Sequence, residues 1–327
     1  MRDIAVFSGS AHPALVAEIC SELDLAVQPS RVTRFANDCL EVQLEANCRE
    51  RDVFLIQPLV APVQEHLVEL MLMIDAARGA SAGRVTVVMP HYAYARSDKK
   101  DAPRISIGAR LMADLLVASG ADRMLMMTLH SPQVHGFFSV PVDHLNALRE
   151  LAAHFAQQDL SNTVVVSPDL GNVKEAAAFA RMLGVPVAAG AKQRFPDDRV
   201  AISSVIGEIE GREVIVLDDE IAKGSTVLEL IRVLRDQGVQ RIQVACTHGL
   251  FAGQALQRIG DQPEVTGVVC TNTVPLDQAE VASARPGLLT VLSIAPVVAE
   301  TIRRIHDGES VSSLFDRTTP VEGRSLF

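Results

Sequence analysis

The sequence predicts an α/β fold made of mainly parallel sheets with helices on both faces. Short, β-rich apolar runs alternate with longer helical patterns along almost the whole chain, and such alternation is typical of these sheets. The chain has 327 residues, and at ~150 residues per domain this length predicts about two domains. The break between them is expected near Asn146, ahead of a helix predicted over 147–157.

The first half of the chain contains buried strands, each followed by a helix. The predicted strands are the apolar runs at 52–57, 84–90 and 123–130, and the predicted helices cover 65–77 and 108–119. The first of these helices places Leu67, Leu70, Met71 and Ile74 on one face. Recurrence at that spacing indicates an amphipathic helix packed on a sheet.

The second half repeats the same plan. Its predicted strands are 163–169, 212–219 and 241–248, and its predicted helices cover 173–183 and 226–237. In each half an arginine, Arg123 or Arg241, lies shortly after a glycine and seven residues before a histidine, His130 or His248. This echo is consistent with two copies of one α/β unit. Chance remains open, because a glycine after a helix is common.

Composition excludes several classes of function. The chain carries 30 Lys and Arg against 40 Asp and Glu, a net charge of −10, and no basic tract is longer than the pair Lys99-Lys100. Binding to nucleic acid or to an anionic membrane needs clustered positive charge, so neither is expected. The N-terminus has no signal-peptide pattern, and the five cysteines include no CxxC pair. These features predict a cytoplasmic protein with free thiols.

The segment 214–230 is the strongest candidate binding site. Four apolar residues lead into Asp218 and Asp219, and a short loop with Gly224, Ser225 and Thr226 precedes a helix. Backbone N–H groups at such a helix start can cradle a phosphate, and the two carboxylates can hold sugar hydroxyls. Alternatively, Ser225 or Thr226 only caps the helix and the aspartates are solvated.

Other candidates follow the remaining strands. Asp169 and His130 are each predicted at a strand end, where open sheets bind ligands, but each also fits an ordinary structural role. The loop 90–106 is charged and is either a mobile lid over a polyphosphate or a solvated loop. Lys192 and Arg194 lie two residues apart after a predicted strand, so both can face one anion in an extended segment.

Seven segments, in order along the chain, resemble the ribose-phosphate pyrophosphokinase family. They read PHYAYARSDKKD, TLHSPQVHGFFSVPVDH, VVVSPDLG, AKQR, VLDDEIAKGST, THGLFAG and AETIRRIHDGESVSSLF. The resemblance runs from about Ile4 to Phe315. It implies two phosphoribosyltransferase-like domains, 1–146 on the ATP side and 147–299 on the ribose-phosphate side, with 300–327 packed on the first. It further implies an active site between the domains, Mg²⁺ as cofactor, and a homo-oligomer built from dimers, for example a hexamer.

The resemblance also implies a role for each matching residue. The implied ATP-binding residues are Phe35, Asn37, Asp38, Cys39, Arg96, Ser97, Asp98 and Lys99, the first four acting from a neighbouring subunit. The implied metal site is His130 and Asp169, the implied catalytic lysine is Lys192, and Arg194 is its partner. The implied ribose-phosphate site contains Arg194, Asp218, Asp219, Ala222, Lys223, Gly224, Ser225 and Thr226.

Four residues depart from the pattern of the family. Thr128 and Cys39 stand where the family usually has acidic residues, and Ala222-Lys223 replaces an acidic residue and a threonine. The implied reaction is transfer of the diphosphoryl group of ATP to ribose 5-phosphate, and no residue stands out as its general base. Two alternatives stay open on the sequence alone. They are a non-catalytic regulatory paralogue, which the departures favour, and a phosphoribosyltransferase.

Overall fold

The computed structural model describes residues 3–194 and 200–315, and for 192–194, 200–201 and 315 it describes the backbone alone. Contacts divide the chain into two compact units. The first unit comprises the chain up to Asn146 together with Ser293–Phe315, and the second comprises Ala147–Leu292.

The first unit contains seven strands and four α-helices among its described residues. In chain order they are β1 (Ile4–Ser8), α1 (Pro13–Glu22), β2 (Ser30–Arg34), β3 (Leu40–Leu44), β4 (Asp52–Ile56), α2 (Val63–Gly79), β5 (Arg84–Met89), α3 (Gly108–Ala118), β6 (Arg123–Met127) and β7 (Val142–Leu145), and α9 (Ala295–Asp307) belongs here as well. Five of the strands form one parallel sheet in the order β1-β4-β5-β6-β7. The other two, β2 and β3, form an antiparallel hairpin.

The second unit is built around a seven-stranded sheet. Its elements are α4 (Leu148–Phe155), β8 (Thr163–Ser167), α5 (Val173–Leu183), β9 (Val187–Arg194), β10 (Val200–Ile206), β11 (Glu213–Ile221), α6 (Ser225–Asp236), β12 (Ile242–Gly249), α7 (Ala255–Gly260), β13 (Val265–Thr271), α8 (Gln278–Ser283) and β14 (Leu289–Leu292). The strand order is β10-β9-β8-β11-β12-β13-β14. All neighbouring pairs are parallel except β10 with β9. The predicted α/β class with mainly parallel sheets is confirmed.

Apolar side chains on both faces of each sheet form the cores. Strands β4 and β8 are buried at every position, as expected for strands covered on both faces by helices. In the second unit, one core cluster packs Val216, Leu230 and Ile242 together with the residues around them, and Phe155 and Phe179 belong to another cluster. This packing holds the strands, and with them their carboxyl ends, in place. No helix in the described ranges is long and apolar enough to cross a membrane.

Candidate active site

The two aspartates of the candidate sugar site lie inside strand β11 instead of beyond its end. The sequence predicts that this strand stops at Asp219, but it continues to Ile221. The extension follows from parallel pairing with β12, in which Asp218 lies opposite Cys246 and Glu220 opposite His248. Both aspartates are half-buried. A partly solvated position beside a fixed strand leaves each carboxylate oriented but open to a ligand.

Carboxyl groups are crowded around Asp218. Burial raises the pKa of this carboxyl well above its usual range, and the neighbouring Asp219 and then Asp169 raise it further. Repulsion of this kind shows that Asp169 and the aspartate pair act on one another electrostatically. A cation or the hydroxyl donors of a sugar would relieve that repulsion, so this edge of the sheet suits such ligands.

The loop after β11 enters helix α6 through a glycine, not through a capping side chain. Gly224 is the N-cap residue, with φ of +70°, and no side chain caps the helix. The alternative in which Ser225 or Thr226 serves as the N-cap is therefore wrong. The first N–H groups of a helix have no partner within the helix. Their position next to small residues, with Ser225 exposed and Thr226 half-buried, suits them to a phosphate.

Lys223 and Ala222 complete that loop. The side chain of Lys223 is exposed, and its carbonyl oxygen accepts a hydrogen bond of 2.5 Å from the Arg258 guanidinium. Sequence reasoning overlooked Arg258. No sequence signal could have identified it, because it meets the loop only through the packing of α7 against α6.

Asp169 forms the turn that leads into helix α5. Strand β8 ends at Ser167, and the Oδ1 atom of Asp169 accepts hydrogen bonds from the N–H groups of Gly171 at 2.9 Å and Asn172 at 3.2 Å. The turn role that the sequence left open is thus present. The effect of this carboxylate on the pKa of Asp218 shows that it also contributes to the charge of the candidate site.

Lys192 and Arg194 lie within strand β9, which continues through the segment that the sequence places after the strand. Pairing with β10, which aligns Ile202 with Lys192 and Val200 with Arg194, explains the longer strand. Residues two apart in a strand project from the same face. The side chains of Lys192 and Arg194 lie outside the described part of the structure.

His130 is not at a strand end, contrary to the prediction. Strand β6 ends at Met127, because Thr128 adopts a positive φ of 40° and turns the chain away. The N–H of Leu129 then donates to the Nε2 atom of His144 at 2.8 Å. His130 follows this turn with an exposed side chain.

The loop that contains four of the candidate ATP-binding residues is tethered at two points. The Ser97 hydroxyl accepts a hydrogen bond from the Gly108 N–H at 2.9 Å, at the start of α3. The carboxylate of Asp98 accepts one from the Ser131 hydroxyl at 2.5 Å. The flanking Arg96 and Lys99 are exposed. These two cations therefore remain accessible to a ligand while the side chains between them hold the loop.

The remaining candidates for the ATP site form the turn of the β2–β3 hairpin. Phe35 is 48% exposed, an unusual state for a large aromatic side chain. The turn is shaped by Asp38, with φ of 70°, and by a 3.3 Å hydrogen bond from the Cys39 N–H to the side-chain Oδ1 atom of Asn37. Asp38 also pairs with Arg34 at 2.6 Å. The hairpin thus presents a rigid aromatic tip to its surroundings.

The structure brings the candidates together in two groups, one in each unit. Asp169, Asp218, Asp219 and the loop 222–226 share the carboxyl edge of the second sheet, whereas the segments around Ser97 and Ser131 are bonded to one another in the first unit. Within the described ranges, no three His, Cys, Asp or Glu side chains are grouped as a metal site.

Comparisons with known proteins agree with one another, and the relatives match nearly the whole chain. Residues 4–120 match the N-terminal domain of ribose phosphate pyrophosphokinase, and residues 195–316 match the phosphoribosyl synthetase-associated domain. A relative from Streptomyces coelicolor is 73% identical over 97% of this chain and 98% of its own length. A ribose-phosphate pyrophosphokinase from Deinococcus radiodurans is 48% identical over 95% of this chain and 98% of its own.

A solved structure gives the same result at the level of the fold. The phosphoribosylpyrophosphate synthetase from Mycobacterium smegmatis superposes with a TM-score of 0.87 at 38% sequence identity. The match covers 94% of this chain and 100% of that one. The similarity therefore includes both units and the connections between their elements.

Proposed function

The chain belongs to the ribose-phosphate pyrophosphokinase family and synthesises 5-phosphoribosyl 1-pyrophosphate, and we propose which of its residues carry this reaction. The diphosphoryl group of ATP is transferred to the C1 hydroxyl of ribose 5-phosphate, and AMP is released. Matches to enzymes of this activity over the full chain favour this function over a non-catalytic paralogue. They also favour it over a phosphoribosyltransferase, for which one such domain would suffice.

The geometry of the loop 222–226 is the single observation that supports the ribose-phosphate site. An uncapped helix start with small neighbouring residues offers backbone N–H donors and a favourable helix dipole to the 5-phosphate. The carboxylates of Asp218 and Asp219, which shortly precede the loop in β11, would accept hydrogen bonds from the pentose hydroxyls. Lys223 and Arg194 would add positive charge, Lys223 in place of the threonine that the family usually has there.

Mg²⁺ is the proposed cofactor, and the donors present suit it. Carboxylate oxygens are its preferred protein ligands, and it usually keeps several waters and binds substrate phosphates. One or two protein ligands are therefore enough, and the crowded charge around Asp218 and Asp169 fits a nearby cation. His130 and Asp169 are the proposed metal-binding residues. When bound, Mg²⁺ would neutralise charge on the phosphates of ATP.

The first unit supplies the proposed ATP-binding residues. Arg96 and Lys99 would pair with phosphates, while Ser97 and Asp98 keep the loop in position through their bonds to Gly108 and Ser131. The hairpin tip would contact adenosine in a neighbouring subunit through Phe35, Asn37, Asp38 and Cys39. Lys192 and Arg194 would stabilise the negative charge that develops on the transferred group, because phosphoryl transfer depends on positioning and charge neutralisation.

We further propose a homo-oligomer built from dimers, and a cytoplasmic location. The exposed aromatic tip of the hairpin supports the first, because Phe35 would be buried by another subunit. The free cysteines support the second, since all five are unpaired and four of them are buried. Burial raises the pKa of Cys20 to about 11, which keeps this thiol protonated and unreactive. Sedimentation of a fully active monomer would contradict the first proposal.

Product analysis tests the proposed function directly. The purified protein is incubated with ATP, Mg²⁺ and ribose 5-phosphate, and nucleotides and sugar phosphates are separated by chromatography. We expect AMP and 5-phosphoribosyl 1-pyrophosphate in equal amounts, both dependent on the pentose. Formation of ADP instead, or no turnover in a folded preparation, would refute the reaction. Consumption of added 5-phosphoribosyl 1-pyrophosphate with a nucleobase would indicate a phosphoribosyltransferase.

A further inference from the structure

The guanidinium of Arg258 contacts the candidate phosphate loop. One face of helix α7 lies against this loop and carries Ala255, Arg258 and Ile259. The Nη2 atom of Arg258 donates to the Lys223 carbonyl oxygen at 2.5 Å. The side chains of Ile259 and Ala255 lie 3.2 and 3.5 Å from the position that a Cβ atom on Gly224 would occupy. Helix α7 therefore contacts the loop through one charged and two apolar groups.

The helix that carries Arg258 is itself held in place. The N–H of Gln254, at the start of α7, donates to the Glu280 carboxylate at 2.7 Å. The chain just before it is bonded to the end of β11, where the N–H groups of Leu250 and Phe251 both donate to the Ile221 carbonyl oxygen. The donor on Arg258 is thus attached to the same strand end from which the loop departs.

The hydrogen bond to Arg258 fixes the orientation of one peptide plane. In a trans peptide the carbonyl oxygen and the following N–H point in opposite directions. Because the Lys223 carbonyl points at Arg258, the Gly224 N–H points away from it. Glycine populates positive and negative φ almost equally, so the plane between Lys223 and Gly224 could rotate at little cost without this bond. A rotated plane would offer a carbonyl oxygen where an N–H is needed.

We propose that Arg258 is a positioning residue that holds the loop 222–226 with its N–H groups, not its carbonyl oxygens, available to the 5-phosphate of ribose 5-phosphate. This inference rests on the proposed function of the loop. Arg258 acts through the backbone and contacts no substrate in this role. Its exposed side chain contributes little to the core, so its substitution is expected to affect the loop much more than the fold.

The test measures ribose 5-phosphate binding in Arg258→Ala by calorimetry, with Mg²⁺ and a non-hydrolysable ATP analogue present. We expect the dissociation constant to rise about tenfold, as for loss of a hydrogen bond to a charged group. The KM for ATP and the midpoint of urea unfolding should stay at the wild-type values. Arg258→Lys should restore part of the affinity, because an ammonium can still donate one hydrogen bond to the carbonyl.

Arg285→Ala is the matched control. Arg285 also donates through its Nη2 atom to a backbone carbonyl, that of Val265, at 2.8 Å, but it lies away from the loop. Its variant should bind ribose 5-phosphate as the wild type does. Wild-type affinity in Arg258→Ala would overturn the proposal, and so would an equal weakening of ATP binding or a lowered unfolding midpoint, since either would indicate a general loss of structure.

A loop variant separates this inference from the proposed function. If Thr226→Ala weakens ribose 5-phosphate binding and Arg258→Ala does not, the loop is the phosphate site and the role of Arg258 is refuted alone. If neither substitution changes the affinity, the assignment of the loop fails and the role of Arg258 fails with it. Weakening in both variants, with partial rescue by Arg258→Lys, supports both.

Discussion

The buried carboxylate of Asp52 connects helix α9 to the first sheet. Removing the charged partner of this carboxylate should lower the stability of the fold. Asp52 begins β4, and its side chain is only 3% exposed. The Nε atom of Arg84 donates to its Oδ1 at 2.8 Å, and the Nη2 atom contacts Oδ2. The same Nη2 donates to the Ile305 carbonyl at 3.0 Å, and the Nδ1 of His306 lies 2.9 Å from Asp52 Oδ2.

Arg84→Met should therefore lower the free energy of unfolding by about 3 kcal/mol. Removing one partner of a buried ion pair generally costs roughly 3–5 kcal/mol, because the remaining charge is left uncompensated. The lower end applies here for two reasons. The Arg84 side chain is 28% exposed, so solvent already screens it, and His306 still contacts the carboxylate. Methionine keeps most of the apolar volume, which limits the loss of packing.

Urea unfolding followed by circular dichroism measures this difference, and Arg31→Ala provides the control. Arg31 pairs with Glu45 at 3.2 Å, but the two side chains are 52% and 41% exposed, and such surface pairs contribute about 0–1 kcal/mol. Hydrogen exchange should also show faster exchange of the α9 amides in Arg84→Met. Equal unfolding midpoints for the two variants would refute the argument from burial.

Three further predictions follow from individual side chains. Lys223→Ala should raise the KM for ribose 5-phosphate about tenfold and leave the KM for ATP unchanged, and Lys223→Thr should recover part of the loss. If steady-state kinetics gives equal KM values for ribose 5-phosphate in the wild type and Lys223→Ala, the side chain does not contact the substrate. Lys192→Ala should lower kcat about 100-fold or more, and a raised KM for ATP at constant kcat would remove Lys192 from the catalytic role. Burial raises the pKa of the Glu150 carboxyl, and its Oε2 atom has no hydrogen-bond partner. As pH rises above the usual carboxyl pKa, the wild type should therefore lose stability relative to Glu150→Gln. The variant should be more stable than the wild type by about 1 kcal/mol at neutral pH and equally stable in acid. Urea midpoints that differ by the same amount at both pH values would contradict this prediction.

Local sequence patterns predicted the elements that local forces specify. The helix expected over 173–183 is observed as Val173–Leu183, because its apolar period and the glycine that follows it lie within the segment itself. The strand that ends in Asp219 was predicted too short. The residues at 218–220 are acidic and half-buried, so they lack an apolar strand pattern, and the ladder to β12 keeps this end of the strand extended. The pattern of one segment cannot predict pairing with a strand that lies far along the chain.

The β2–β3 hairpin was missed for the same kind of reason. Strand β2 is exposed or half-buried at every position, and the burial of β3 alternates between half-buried and exposed. Neither strand therefore has the apolar run that marks a core strand. The family resemblance nevertheless drew attention to its turn, Phe35–Cys39. Residues on an exposed binding surface show no hydrophobic periodicity. Such residues are identified by their type and order in the sequence instead.

The repeated arginine-to-histidine spacing shows where sequence spacing stops being informative. Arg123 begins β6 and Arg241 directly precedes β12, and a histidine follows each arginine after seven residues. Strand β12 continues to Gly249, so His248 is buried in the ladder, where its Nδ1 lies 2.9 Å from the Thr273 hydroxyl. Strand β6 stops earlier, and His130 lies exposed beyond it.

The cause of this divergence lies in the neighbouring strands. Next to β12, β11 extends to Ile221 and pairs along its whole edge, whereas the turn after β6 is captured by His144 from β7. An exposed histidine can contact a metal ion or a phosphate, but one enclosed between strands and bonded to a threonine is fixed as a structural group. The same spacing thus yields a candidate ligand in one unit and a core residue in the other. Which role each histidine takes is decided by the length of the adjacent strand, a property that belongs to the sheet and not to the segment.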